Sequence, residues 1–239
     1  MTDMNVFRMP EWYSKISQNC FPTVFVNMDG AVLDALKAGR QEEDPAVKEF
    51  LPKLEHAMNK FSSLRFLSAD TVAPTDTERF LIKRGAVHSA KSAWRILCSS
   101  VKVRKAAEAG LVTCICVRPF RRMQPAREFR LFIKDGKLAG MSQYWLIRHF
   151  RRLPERRERY WKRASALVER LAPQLPLPDL AMDIYFKSSG DILIVDLNPW
   201  GEPTDPLMYN TWDRDWNEPG DCRIVPPPHK VSGEVNVHF

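Results

Sequence analysis

Two acidic strands joined by a short turn constrain this chain more than any other stretch. Ala-Met-Asp-Ile-Tyr-Phe at 181–186 and Asp-Ile-Leu-Ile-Val-Asp-Leu-Asn at 191–198 flank Ser189-Gly190, and read as an antiparallel hairpin. With Ser189-Gly190 as a two-residue turn, pairing outward sets Asp183 directly opposite Asp196. Directly opposed Cβ atoms lie about 4.5–5.5 Å apart, where like charges are destabilising. Asn198 shares the parity of Asp196 and so points to the same face. Met182, Ile184, Leu193 and Val195 are expected to mark the opposite, core-facing side, leaving the acid face free for a ligand. Two carboxylates and an amide oxygen form the hard donor set that magnesium takes alongside phosphate oxygens. The plainer alternative is a solvated hairpin with scattered acids.

A second hairpin supplies cations. Strands at 127–133 and 138–144 flank Lys134-Asp135-Gly136-Lys137, and Asp-Gly between two such runs is a strong hairpin signal. Within Arg127-Glu128-Phe129-Arg130, Glu128 and Arg130 share a face. Arg118 ends the preceding apolar strand, 112–117. A guanidinium suits bidentate binding of phosphate or carboxylate; an ion pair between Glu128 and an arginine stands as the alternative. Lys83 closes the strand-like Arg79-Phe-Leu-Ile-Lys83, where it could meet a phosphate as a point charge or simply be solvated.

The rest of the chain bounds the fold and the chemistry. At 239 residues with 44% hydrophobic and 27% charged side chains, it suits one large domain or two small ones and is no disordered or fibrous protein. Asp44, Pro45 and the spacing of Val47, Phe50, Leu51, Leu54, Met58 and Phe61 predict a helix over 45–61. A strand at 23–28, a polar loop at 68–78, a helix around Trp94 and Leu97, and a basic helix at 154–172 complete the reading. The Pro-rich tail from 217 is expected to run irregularly over the surface. No GxxxxGK[ST], GxGxxG, GxSxG or HExxH motif is present, which removes the P-loop, Rossmann, hydrolase and zincin readings. The five histidines are dispersed. The five cysteines form no CxxC pair, and Cys114 and Cys116 alternate onto one strand face as core residues. No apolar run approaches the roughly 18 residues of a membrane span, and no secretion signal opens the chain, so a cytoplasmic location is expected. Net charge is +7, and residues 148–163 hold eight Lys or Arg against two Glu, with Tyr160 and Trp161 interleaved. Such a stripe could bind RNA or an acidic protein, or could be a solvated helical face.

The motifs converge on a known family. Residues 127–144, with their Glu-Phe-Arg and Ser-Gln-Tyr blocks, and 182–212, with Asp-Ile-Tyr and Asp-Leu-Asn-Pro-Trp-Gly-Glu-Pro-Thr-Asp-Pro-Leu, resemble the cell division cycle protein 123 (D123) family. The blocks occur in the family's order and the resemblance covers 112–216 well. The stretch 79–97 is a looser match, and the first 60 residues match faintly. The resemblance implies an α+β, two-lobed ATP-grasp-like fold with antiparallel sheets flanked by helices. It implies an N-terminal lobe at 1–111 carrying the lysine and a C-terminal lobe at 112–216 carrying an adenine hinge and the metal site, with 217–239 as tail. ATP and magnesium are the implied cofactors. Lys83 would reach the phosphates, the backbone near Val117 would meet adenine with Arg118 just beyond, and Arg130 would face the terminal phosphate beside Glu128. Asp183, Asp196 and Asn198 would hold magnesium. Eukaryotic members act as assembly chaperones for translation initiation factor 2 through its gamma subunit, which makes such a subunit the expected partner. Two other functions compete: an ATP-dependent carboxylate–amine ligase working through an acyl phosphate, and an RNA-binding or RNA-processing protein using 148–163. The chain departs from the family in being shorter, in lacking the usual Pro and Trp after Lys83, and in its basic helix.

Overall fold

Asp44 and Pro45 open the longest helix of the first half, as the sequence predicts. The Asp44 side chain accepts from the Ala46 amide, and α3 (Pro45–Met58) buries Val47, Phe50, Leu51, Leu54 and Met58. The computed structural model, which describes residues 4–216 and 220–228, surrounds this helix with three others. α2 (Gly30–Lys37), α5 (Ala90–Ser99) and α6 (Val101–Glu108) each begin at a side-chain cap, Asp29, Ser89 and Ser100 respectively. Each cap satisfies one amide that the first helical turn leaves open, worth about 1 kcal/mol. The helices cover one face of a four-stranded antiparallel sheet. Its strands β1 (Val24–Asn27), β2 (Arg65–Ala69), β3 (Ala86–Val87) and β4 (Cys114–Pro119) run in the order β1-β4-β2-β3. Trp94, Leu54, Met58, Ile115 and Val117 lie in the core between them, and all are essentially inaccessible.

Three expectations fail in this half. β4 is expected in the second lobe, yet it is an inner strand of the first sheet, pairing with both β1 and β2. The N-terminal helix α1 (Met9–Ile16) goes the other way: Met9, Trp12 and Ile16 join the core of the second sheet. Neither exchange is visible locally, because strand pairing is decided by partners far apart in sequence. Residues 79–83 are not a strand. Thr77 caps α4 (Glu78–Lys83) by accepting from the Phe80 amide, and Arg84 ends it in the left-handed region. The sheet strand instead starts at Arg65 and runs into what reads as a loop at 68.

Five strands make the second sheet: β5 (Glu128–Lys134), β6 (Lys137–Gln143), β7 (Leu180–Phe186), β8 (Ile192–Pro199) and β9 (Cys222–Arg223), in the order β8-β7-β5-β6-β9. The β5–β6 turn is the expected two-residue one. Lys134 pairs with Lys137 while Asp135 and Gly136 take φ of 50° and 70°, the left-handed values that Asp-Gly tolerates. α7 (Arg157–Leu171) and α1 pack on one face, where Tyr160, Ala164, Leu167 and Val168 meet Phe129, Leu131 and Met182. Cys114 and Cys116 point from β4 into this same core, both on one face as their alternation predicts. On the other face Phe132, Tyr209, Trp212 and Trp216 form an aromatic cluster. The expected irregular tail, 217–239, lies largely outside the described residues; within it, β9 pairs parallel to β6, Cys222 beside Met141. No helix among the described residues is long and apolar enough to cross a membrane.

Candidate functional site

The acidic hairpin reaches its pairing by a route the sequence hides. Lys187 N–H donates to Asp191 O and Gly190 N–H to Lys187 O, so three residues, Ser188 to Gly190, form the loop. Gly190 takes a φ of 92°, open to glycine at little cost. One extra loop residue shifts the register, pairing Phe186 with Ile192, Tyr185 with Leu193 and Ile184 with Ile194. A bulge at Val195 then restores alternation, so that Asp183 does face Asp196. The opposition is as expected, but the expected core positions are not. Ile192, Ile194 and Leu197 occupy the core with Met182 and Ile184, while Leu193 and Val195 stay outside it.

The register continues across four strands. Ser142 on β6 faces Arg130 on β5, Arg130 faces Asp183 on β7, and Asp183 faces Asp196 on β8. Arg130 grips Asp183 with two parallel hydrogen bonds, Nε to Oδ1 at 2.7 Å and Nη2 to Oδ2 at 2.9 Å. Its Nη1 donates to the Asp205 carbonyl at 2.8 Å, and the guanidinium lies 5.4 Å from the centre of the Tyr144 ring. Asn198 Nδ2 donates to Asp183 Oδ2 at 3.1 Å, and its carbonyl oxygen has no hydrogen-bond donor among the described residues. The alternative of an ion pair between Glu128 and an arginine is not what forms: Arg130 pairs across the strand with Asp183.

Charge is distributed unevenly along this line. Asp183 is matched by Arg130, whereas among the described residues Asp196 accepts only from the Leu197 amide, at 3.0 Å. Desolvation, then the Asp183 carboxylate, push the Asp196 pKa up to about 7, against the pull of Arg118. Burial would lower the Arg130 pKa, but Asp183 outweighs it and the guanidinium is held more firmly charged. Asp183 raises the pKa of Tyr144, with burial adding to it, and burial raises that of Glu128 despite a hydrogen bond from Trp145. Arg118 spans the two sheets: Nη1 donates to the carbonyl of the bulged Val195 at 3.0 Å and Nη2 to Ser68 at 3.2 Å. Its Nε is buried without a partner among the described residues.

Arg130, Tyr144, Asn198 and Asp205 line a cleft of about 570 Å³, to which the first half contributes Thr71; Asp183 adjoins its wall through Arg130 and Asn198, and Asp196 lies opposite Asp183. A groove of about 460 Å³ elsewhere on the first lobe, lined by Glu42, Lys48 and Glu55, is a poorer candidate, since Glu42 is paired with Arg95 and Glu55 caps Ala90. Of the residues read from the sequence, Arg118, Glu128, Arg130, Asp183, Asp196 and Asn198 come together. Lys83 does not line the cleft; it is exposed at the end of α4. Val117 is enclosed between Val24 and Leu67, so its backbone groups are engaged by neighbouring strands and not open to an adenine ring. Sequence reasoning missed Ser68, Tyr144 and the Asp205 carbonyl. The last two lie inside the Ser-Gln-Tyr and Pro-Thr-Asp blocks, so the signal was present but carried no assigned role.

The donor set suits a hard divalent cation. Two carboxylates and an amide oxygen converge on one face, and among the described residues Asp196 makes no ion pair, with Arg118 acting on it only at longer range. No group of three His, Cys, Asp or Glu placed to hold a metal occurs among the described residues. Magnesium fits such a partial shell, because it keeps several waters and takes phosphate oxygens with only one or two carboxylates.

The D123 family model matches residues 34–219. The translation initiation factor eIF2 assembly protein of Xenopus tropicalis is 33% identical over 133 residues, covering 52% of this chain and 38% of that protein. Cell division cycle protein 123 of Candida glabrata is 31% identical over 106 residues, covering 44% of this chain and 28% of its own length. The matched part of the chain thus spans well under half the length of these curated relatives. The structure of Cdc123 from Schizosaccharomyces pombe superimposes with a TM-score of 0.80 at 18% identity, over 93% of this chain and 96% of that one. The fold is the expected α+β, two-lobed arrangement of largely antiparallel sheets flanked by helices, and it is the fold of that Cdc123 structure.

Proposed function

The chain belongs to the D123 family, and from that premise we propose that it binds magnesium-ATP in the cleft and acts as a nucleotide-dependent assembly factor. The observation that carries the nucleotide reading is the opposition of Asp183 and Asp196 with a cation supplied to only one of them. Asp183, Asp196 and the Asn198 carbonyl would hold magnesium, which supplies positive charge to neutralise the acids and the phosphates together. Arg130, which grips Asp183 across the sheet, would offer its guanidinium to the terminal phosphate. Arg118, carrying an unpartnered buried Nε, offers a second donor beside Asp196. Glu128, of raised pKa, borders the same face. The protein partner is proposed from the relatives: those named as eIF2 assembly proteins support a translation initiation factor 2 subunit, and a cytoplasmic setting goes with it.

Calorimetric titration of the full chain with ATP, in magnesium and in chelator, tests the site. Magnesium-dependent binding that Asp196→Asn weakens by about tenfold or more, as for the loss of a charge-assisted contact, is expected. Equal affinity with and without magnesium would remove the proposed metal. Co-purification of the chain with recombinant factor 2 gamma subunit, weakened by the same substitution, tests the assembly role.

A further inference from the structure

Residues 148–163 carry eight basic side chains against two acidic ones, +6 of the chain's net +7. The structure builds this stretch as a loop, a single 3-10 turn at Pro154–Arg156 and the first turns of α7. Arg148, Arg151, Arg152, Arg157, Arg159, Lys162 and Arg163 are all exposed. Internal partners answer only part of this charge: Lys162 pairs with Glu158 at 2.8 Å, Arg157 sits 3.9 Å from Asp221, and Arg163 donates to the Gly190 carbonyl. Arg151, Arg152, Arg156 and Arg159 have no ion pair among the described residues. Arg156 stands at the N-cap of α7 and Arg159 lies one turn on, about 4.5 Å along the axis at roughly 1.5 Å per residue, well inside one screening length at physiological salt. Their mutual repulsion is a standing cost to the helix that a counter-charged ligand would relieve.

The aromatic residues of the stripe decide what that ligand is. Tyr160 is buried and stacks on Phe186, with ring centres 4.0 Å apart and planes 7° from parallel. Trp161 is half-buried and packs on the second core. Neither offers a face to an unpaired base, Phe150 packs on the second core with the Arg148 guanidinium 5.1 Å from its ring centre, and single-stranded nucleic acid draws much of its affinity from such stacking. Immediately before Arg148, Ile147 is 68% exposed, aliphatic surface that a polypeptide can cover and a phosphate backbone cannot use, whereas the exposed Trp145 and Leu146 belong to the cleft. Seven of the eight cations are arginines, whose planar fork matches carboxylates. α7 lies on the sheet face opposite Arg130 and Asp183, so occupation of this surface leaves the cleft open.

We propose that 148–163 is a docking surface for an acidic polypeptide segment, rich in Asp and Glu with aliphatic side chains interspersed, on a protein partner. The test uses the full chain and a fluorescein-labelled 16-residue peptide of Glu, Asp and Leu, followed by anisotropy at about 0.15 M salt, where the screening length is about 8 Å. A variant with Arg151→Gln, Arg152→Gln, Arg156→Gln and Arg159→Gln removes four of the eight cations of the stretch. A control with Lys48→Gln, Lys53→Gln, Lys60→Gln and Lys91→Gln removes four exposed charges from the first lobe. The arginine variant is expected to bind the peptide at least about tenfold more weakly and the lysine control within about threefold of the parent, since local pairing exceeds the general field. Both variants should melt with the parent, which separates docking from folding. The proposal is overturned if the lysine control loses as much as the arginine variant, or if the parent shows no binding below about 100 μM peptide. It is equally overturned if oligouridine or an RNA hairpin binds the parent more tightly than the peptide does, which would make the surface a nucleic-acid site.

Discussion

Replacing Asp196 by Asn in the metal-free protein should stabilise it, increasingly as pH rises. The folded chain holds the Asp196 proton up to about pH 7, whereas the group ordinarily titrates at 3.8. The folded state therefore binds the proton more tightly than the unfolded state. Stability from this group is complete below about pH 4 and lost as pH rises through 7. Three pKa units correspond to an upper bound of about 4 kcal/mol, and the half-buried setting of the side chain reduces this to about 1–3 kcal/mol. Asn cannot ionise, so parent and variant should melt together near pH 4. By pH 8 the variant should melt higher by about 3–8 °C for a chain of this size. Saturating magnesium-ATP should then reverse the order. A ligand at a hundred times its dissociation constant adds about 2.7 kcal/mol to a protein that binds it, and the variant lacks one of the ligands that make that possible. Differential scanning fluorimetry over pH 4–8, with magnesium-ATP and with ATP plus chelator, reads all of this. Parallel pH slopes for parent and variant would refute the strained acid pair. An equal magnesium-dependent shift in both would remove Asp196 from the metal site.

Other perturbations separate the site from the scaffold. Arg130→Lys keeps the charge but loses the two-pronged grip on Asp183, and should weaken ATP by about tenfold or more, whereas Lys83→Ala, on exposed α4, should change it by less than about threefold; calorimetry compares them. Arg118→Met leaves the bulged Val195 carbonyl without its donor and should cost about 1–3 kcal/mol in chemical denaturation. Gly140→Ala would set a Cβ 2.7 Å from the Tyr209 hydroxyl, itself held by Asp221, and should destabilise by about 1–3 kcal/mol on the same assay.

Where the determinants were local, they could be read along the chain. The capped amphipathic helix at α3 and the Asp-Gly turn between β5 and β6 depend on neighbours a few residues away, and both formed as the pattern dictates. Alternation put Cys114 with Cys116, Glu128 with Arg130, and Asp196 with Asn198 on common faces, because strand parity is a property of the backbone itself. The opposition of Asp183 to Asp196 was also legible, although through two departures that cancel. The loop is one residue longer than a two-residue turn, and the Val195 bulge restores the register it displaces. Leu193 and Val195 record the difference, having been assigned to a core that Ile192 and Ile194 occupy. Nothing local could place β4 inside the first sheet or α1 on the second, since both choices rest on burying surfaces contributed by distant segments. A capping Thr77 settled α4 as helix where its apolar residues looked like strand, and so moved Lys83 to the surface. The partner of Arg130 was likewise decided by strand order. Once β5 lies between β6 and β7, Asp183 is directly opposite the guanidinium, and the two acids of the hairpin cease to be equivalent: one is neutralised by the sheet, and the other makes no ion pair among the described residues.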